Sequence, residues 1–195
     1  MNLGPVEVVR KTGEETLCEG VTSTGIKLNE FWSWSSSDIL NNSLRGIFAE
    51  FIVASDLKIT KANRVEWDAY DLLLDDKIKI EVKSSYIQSW KQAKISNISF
   101  GIRSTIPDNT VSKVSSRERK RQSDVYVFCL LAHKDQNTVN PLNMEQWEFY
   151  VLNTEVLNER LPKQKTIVLN SLLKLNPTKC KYGDIRKTIY NTLSK

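Results

Sequence analysis

The chain has 195 residues, 40% of them apolar, with a formal charge of +5 and a sequence pI of about 9.0, which allows one domain with a real core and suits an anionic partner such as nucleic acid. No apolar run approaches the ~20 residues of a membrane span, and Met1 to Lys11 lacks the apolar stretch of a secretory signal, so the expected location is the cytoplasm. Three cysteines, Cys18, Cys129 and Cys180, lie far apart with no C-x-x-C pair, which argues against a zinc ribbon and a disulfide framework.

The first 30 residues are weakly patterned and leave short strands open. Ser35 to Ser37 offer N-cap hydroxyls ahead of Asp38, and Asn42 and Ser43 can cap a second turn before the main helix, Leu44 to Leu57. On a helical wheel Leu44, Ile47, Phe51, Ala54 and Leu57 share one broad face, which Phe48, Ile52 and Val53 extend, so most of the helix is expected to be buried. Two short strands follow, Tyr70 to Leu74 and Ile78 to Ser84, then a third at Ile95 to Ile102. The polar, basic stretch Arg103 to Ser123, with Pro107, reads as a loop. Val125 to Ala132 is continuously apolar, as a strand buried on both faces would be, and Cys129 within it reads as a small core residue. His133, the only histidine, ends that strand with no nucleophile motif beside it. Any catalysis would therefore rest on carboxylates and lysine.

Trp147 to Leu152 is a further strand, with Trp147 and Tyr150 as core residues. Asn153 or Thr154 caps a short helix to Arg160. Thr166 to Leu169 gives a last strand, Ser171 caps a helix after it, and Asp184 to Leu193 is an amphipathic helix. Strands interleaved with helices predict a single α/β domain with a mixed sheet flanked by helices. Within it, 1–34 is an N-terminal extension, 35–133 the core, and 134–195 carries the C-terminal strands and helices.

The chemistry concentrates on one hairpin. With Asp75-Asp76-Lys77 as a three-residue loop, Leu74 faces Ile78, Leu72 faces Ile80 and Tyr70 faces Val82, so every pair on that face is apolar. The same register puts Asp71 opposite Glu81 on the other face, with Lys83 two residues further along it. Opposed Cβ atoms are about 4.5–5.5 Å apart. At an effective dielectric near 20, two carboxylates that close repel by on the order of 3 kcal/mol. A divalent cation turns that repulsion into coordination, because hard cations take oxygen ligands. The alternative is a solvated strand face neutralised by Lys83 or Lys79. Glu50 falls inside the apolar arc of the preceding helix. A buried carboxylate needs a partner, either a cation such as Arg45 or the metal site itself.

Asp71, then Glu81-Val82-Lys83, preceded by a helical Glu50, resembles the PD-(D/E)xK nuclease superfamily, and the order of helix, hairpin and strands over Leu44 to Ala132 resembles its restriction-endonuclease-like core. Tyr70 stands where that pattern has proline. Asp68 competes for the first aspartate, but only Asp71 sits opposite Glu81. The resemblance implies a nuclease hydrolysing DNA with Mg²⁺ or Mn²⁺. It implies Asp71, Glu81 and the Val82 carbonyl as metal ligands, Glu50 as a direct or water-mediated ligand, and Lys83 as the group that positions and activates water. Gln88 resembles a glutamine that some branches place beside the site.

Gln92-Ala93-Lys94 imitates a variant of the motif but lies off the hairpin register. The loop residues Lys113, Arg117, Arg119, Lys120 and Arg121, against one acid, Glu118, form either a solvated run or a clamp on the DNA backbone. Trp90, Lys91 and Lys94 are candidates for the same groove. Two rival readings are a DNA-binding module that does not cut and a subunit of a larger DNA-processing or defence assembly. The sequence leaves room for a homodimer or a partner subunit.

Overall fold

The computed structural model describes residues 7–61, 63–64, 69–87, 95, 97–106 and 119–194. The chain divides into two compact units, residues 1–39 and 40–195. In the first, strands β1 (Thr16–Glu19) and β2 (Thr22–Lys27) form an antiparallel hairpin that runs directly into helix α1 (Leu28–Ser36). The Lys27 N–H donates to Glu30 Oε1 at 2.8 Å and fixes the helix start. The serines expected to open a helix at Asp38 instead close this one, with Ser37 as its C-cap. The hairpin sets the start at Leu28, so Ser35 and Ser36 fall in the last turn.

The second unit begins with helix α2 (Asn42–Asp56), where the Asn41 side chain accepts from the Leu44 N–H at 2.9 Å. Strands β3 (Leu72–Leu74), β4 (Ile78–Tyr86), β6 (Val125–Leu131), β7 (Trp147–Asn153) and β9 (Thr178–Cys180) lie side by side in that order. β4 and β6 are parallel and the other neighbours antiparallel, so the sheet is mixed. Strands β5 (Ser99–Gly101) and β8 (Thr166–Val168) pair separately. Helices α3 (Thr154–Arg160), α4 (Leu169–Leu173) and α5 (Ile185–Leu193) complete the unit. α4 follows β8 without a break, so Ser171 lies inside it rather than capping it. Among the described residues no helix is long and apolar enough to cross a membrane.

Strand alternation splits the core into two layers. Ile80, Val82, Val125, Val127, Cys129, Phe149 and Val151 pack with Ala49, Ile52, Val53 and Leu57 of α2 and its C-cap, and with Ile185 and Ile189 of α5. Tyr126, Phe128, Leu130, Tyr150 and Leu152 pack the other way, against Phe100, Ile102, Leu157, Ile167 and Leu172. Every residue of β6 is buried, as its unbroken apolar run predicts. The contact face of α2 differs from expectation. Ala49, Ile52 and Val53 are buried, whereas Ile47 and Phe51 are exposed. Apolar residues surround much of this helix, so periodicity alone does not locate the contact, and the small Ala49 permits the close approach to the sheet.

Three charged side chains fix the frame. The Asp56 carboxylate accepts from the backbone N–H groups of Gly183, Ile185 and Arg186, capping α5 from the end of α2. Arg186 donates to the Leu57 carbonyl at 2.8 Å and pairs with Asp75 in the hairpin loop at 2.8 Å. Arg45, 6% exposed, donates to the Leu40 carbonyl, Asn42 Oδ1 and Ser84 Oγ, tying the start of α2 to β4.

Arg121 corrects an expectation. Its place in a basic loop suggests a DNA contact, but it is 7% exposed and its guanidinium donates inward. Its acceptors are the carbonyls of Ile102, Leu157, Leu161 and Gln164 and the Asn158 side chain, at 2.8–3.5 Å. The Leu157 carbonyl also takes the Leu161 N–H, and a cation suits the C-terminal end of α3. Arg121→Ala should therefore lower the melting temperature by about 5–10 °C, because the buried Ile102 carbonyl and the part-buried carbonyls of Leu161 and Gln164 lose their donor. A thermal melt that moves by less than a degree or so would refute the assignment.

Candidate active site

The hairpin register is the expected one: Leu72 pairs with Ile80, Leu73 with Lys79 and Leu74 with Ile78. Asp75 and Asp76 take left-handed φ values of 51° and 54°, which aspartate tolerates, and the Lys77 N–H closes the turn on the Leu74 carbonyl at 3.1 Å. One residue before β3, the Asp71 N–H bonds the Ile80 carbonyl at 3.0 Å, which leaves its carboxylate beside Glu81 and Lys83.

β3 pairs with β4 only as far as Ile80. Asp71 Oδ2 takes the Val82 N–H on that open edge, at 2.7 Å. The Lys83 ammonium lies 2.5 Å from Glu81 Oε1 and 3.8 Å from Asp71 Oδ2, so it bridges the two carboxylates. Burial, with the nearby Asp71 charge, raises the Glu81 pKa despite the opposing pull of Lys83. Burial acts to lower the Lys83 pKa, but the Asp71 and Glu81 carboxylates outweigh it and hold the ammonium above its ordinary value. Lys83 is therefore a cation at neutral pH.

Glu50, on α2, is close enough for its charge to act on both Glu81 and Lys83. Its partner is Arg64, not Arg45. Arg64 Nε lies 2.5 Å from Oε2 and Nη2 lies 3.2 Å from Oε1, a two-pronged grip. Arg45 is committed to the start of its own helix and to β4, and so cannot serve. Tyr126 is a second neighbour that sequence reasoning missed. It stands in parallel register beside Glu81 and is 2% exposed. Burial first, and then the Glu81 charge, raise its pKa. Only the strand order reveals it, because β4 and β6 are some 40 residues apart in the chain.

Among the described residues no three His, Cys, Asp or Glu side chains converge as a ready-made metal cage. Each acid already has a partner: Asp71 the Val82 N–H, Glu81 the Lys83 ammonium, Glu50 the Arg64 guanidinium. The donors themselves, carboxylate oxygens in one neighbourhood, fit a hard divalent cation. Gln88, Lys91, Lys94, Lys113 and Arg117, together with Asp68 and Trp90, lie outside the described residues. Arg119 and Lys120 are exposed, and Lys120 exchanges two backbone hydrogen bonds with Thr105.

The raised Glu81 pKa has a consequence for stability. Just above the ordinary carboxylate range the folded protein holds a proton that the unfolded chain releases, so this group withdraws stability as pH rises through that window. Glu81→Gln removes the titration. From about pH 4 to about pH 7 its melting temperature should rise relative to wild type. A constant difference across the range would contradict the raised affinity.

A family model described as bacteriophage T4 endonuclease IV matches residues 6–171, which include the hairpin, its acids and Lys83. No curated protein matches the chain, and no solved structure does. The match spans well over half of the sequence, and the chain belongs to the bacteriophage T4 endonuclease IV family, a family named for a nuclease.

Proposed function

We propose that the chain is a Mg²⁺- or Mn²⁺-dependent endonuclease of the PD-(D/E)xK type that hydrolyses DNA phosphodiester bonds. The observation that carries this reading is the grouping of Asp71, Glu81 and Lys83 at the open edge of β4. Asp71 and Glu81 would hold the cation. In a strand the N–H and C=O of one residue point to the same side. The Val82 N–H reaches Asp71 on that edge, so the Val82 carbonyl faces it too and supplies a third oxygen. Glu50 would complete the set, directly or through water. When bound, the cation polarises the phosphate and lowers the pKa of a bound water.

The protein's own groups do the rest. Lys83 would position the attacking water and steady the charge that develops on the phosphoryl oxygen. Tyr126, buried beside Glu81 on the neighbouring strand, would limit water on that side of the carboxylate. Arg119 and Lys120 contact the DNA backbone, joined in this reading by Lys91, Lys94, Lys113 and Arg117.

Two experiments follow. Lys83→Ala, Glu81→Gln and Asp71→Asn should each slow Mg²⁺-dependent cleavage by at least about a hundredfold, with the fold by circular dichroism and DNA binding in Ca²⁺ largely kept. The assay is a time course on linear, circular and single-stranded DNA. Binding without cutting of any form would favour a non-cleaving module, and a Lys83→Ala variant as fast as wild type would place the activity elsewhere. Replacing Arg119 and Lys120 by alanine should flatten the log–log salt dependence of duplex binding by about 0.9 for each phosphate that is no longer neutralised. An unchanged slope would leave them as solvated charge.

A further inference from the structure

We infer that Arg64 is a phosphate-binding residue that holds the Glu50 corner of the site until a cation displaces it; this rests on the metal-binding reading of Asp71, Glu81 and Glu50. The geometry is asymmetric. The Glu50 side chain is 14% exposed and Arg64 38% exposed, so the carboxylate faces inward and the guanidinium lies towards solvent. Both Glu50 oxygens are engaged by the arginine fork. A cation that takes either oxygen competes directly with the guanidinium.

Charge counting gives the direction of the exchange. Among the described residues the site holds three carboxylates, Glu50, Asp71 and Glu81, and two cations, Lys83 and Arg64. That leaves one net negative charge. One divalent ion turns it into one net positive, and one phosphodiester restores neutrality. The resting site therefore attracts a cation, and the loaded site attracts a phosphate. An arginine displaced from a carboxylate finds its best replacement in a phosphate, because the planar fork fits the two oxygens of either group. Arg64 sits on the segment after α2, and its side chain is more open to solvent than the Glu50 side chain it grips.

Opposite effects on two ligands test this. In the DNA-free protein, Arg64→Gln should bind Mn²⁺ about fivefold more tightly by calorimetry, the order expected for releasing a partly exposed ion pair. The same variant should bind duplex DNA more weakly in Ca²⁺, with the log–log salt slope reduced by about 0.9. Arg64→Lys, which keeps the charge but not the fork, should fall between. If Arg64→Gln does not fold by circular dichroism, Arg64→Lys decides by the same two measurements. If wild type binds Mn²⁺, Asp71→Asn abolishes that binding and the Arg64 variants bind Mn²⁺ as wild type does, the inference about Arg64 is wrong while the metal site stands. A wild type that binds no Mn²⁺ would overturn the metal-site reading, and this inference with it.

Discussion

The site is organised around one electrostatic problem: two carboxylates, Asp71 and Glu81, held side by side on a hairpin whose other face is fixed by packing. The register cannot slip to separate them, because a one-residue shift would turn Leu72, Leu74, Ile78 and Ile80 out of the core. The repulsion must be met locally. The Lys83 ammonium meets it from the same face of β4, two residues along, and the Val82 N–H meets it from the strand edge. That N–H is available because β3 stops pairing at Ile80. The short length of β3 therefore exposes the backbone edge and places the acid that uses it.

The surrounding fold is tied at the points that orient this hairpin. Asp75 in its loop is gripped by Arg186 and Tyr190 of α5, and Arg186 also caps the end of α2. Asp56 at that same end caps α5 in return. These reciprocal contacts lock the C-terminus of α2 to the hairpin turn, while Arg45 locks its N-terminus to Ser84. Glu50 lies between the two anchors. The position of its backbone relative to β4 is thus set by interactions at both ends of the helix.

What can be read from sequence follows the range of the forces involved. The hairpin is legible because cross-strand pairing is local: the apolar pairs around Asp75-Asp76-Lys77 admit one register, and it is observed from Leu72 to Leu74, with the ladder ending short of the expected Asp71–Glu81 and Tyr70–Val82 pairs. The buried strand at Val125 is legible from its unbroken apolar run. The face of α2 is not, since Ile47 and Phe51 are as apolar as the residues that make contact. β9, three residues long and largely polar, gives no periodic signal. Arg121 reads as one more base in a basic loop, and only the tertiary position of the end of α3 turns it inward. The partner of Glu50 is hidden for a similar reason: Arg45 is the nearer cation in sequence, but Arg64 is the one that the fold brings to it.

The site uses two cations of different kinds, and the difference sets what each can hold. Lysine is a compact point charge on a flexible stem, with donors that rotate, so Lys83 can lie between two carboxylates and later move aside without losing a fixed geometry. Arginine is a rigid planar fork that grips one carboxylate at two points, as Arg64 grips Glu50. Exchanging them would fail in both places. An arginine at position 83 could not lie between Asp71 and Glu81 without committing its plane to one of them. A lysine at position 64 would hold Glu50 through a single moving contact. On the proposed metal site, the acids supply the affinity for a cation, and the choice of base beside each one sets how readily it is given up.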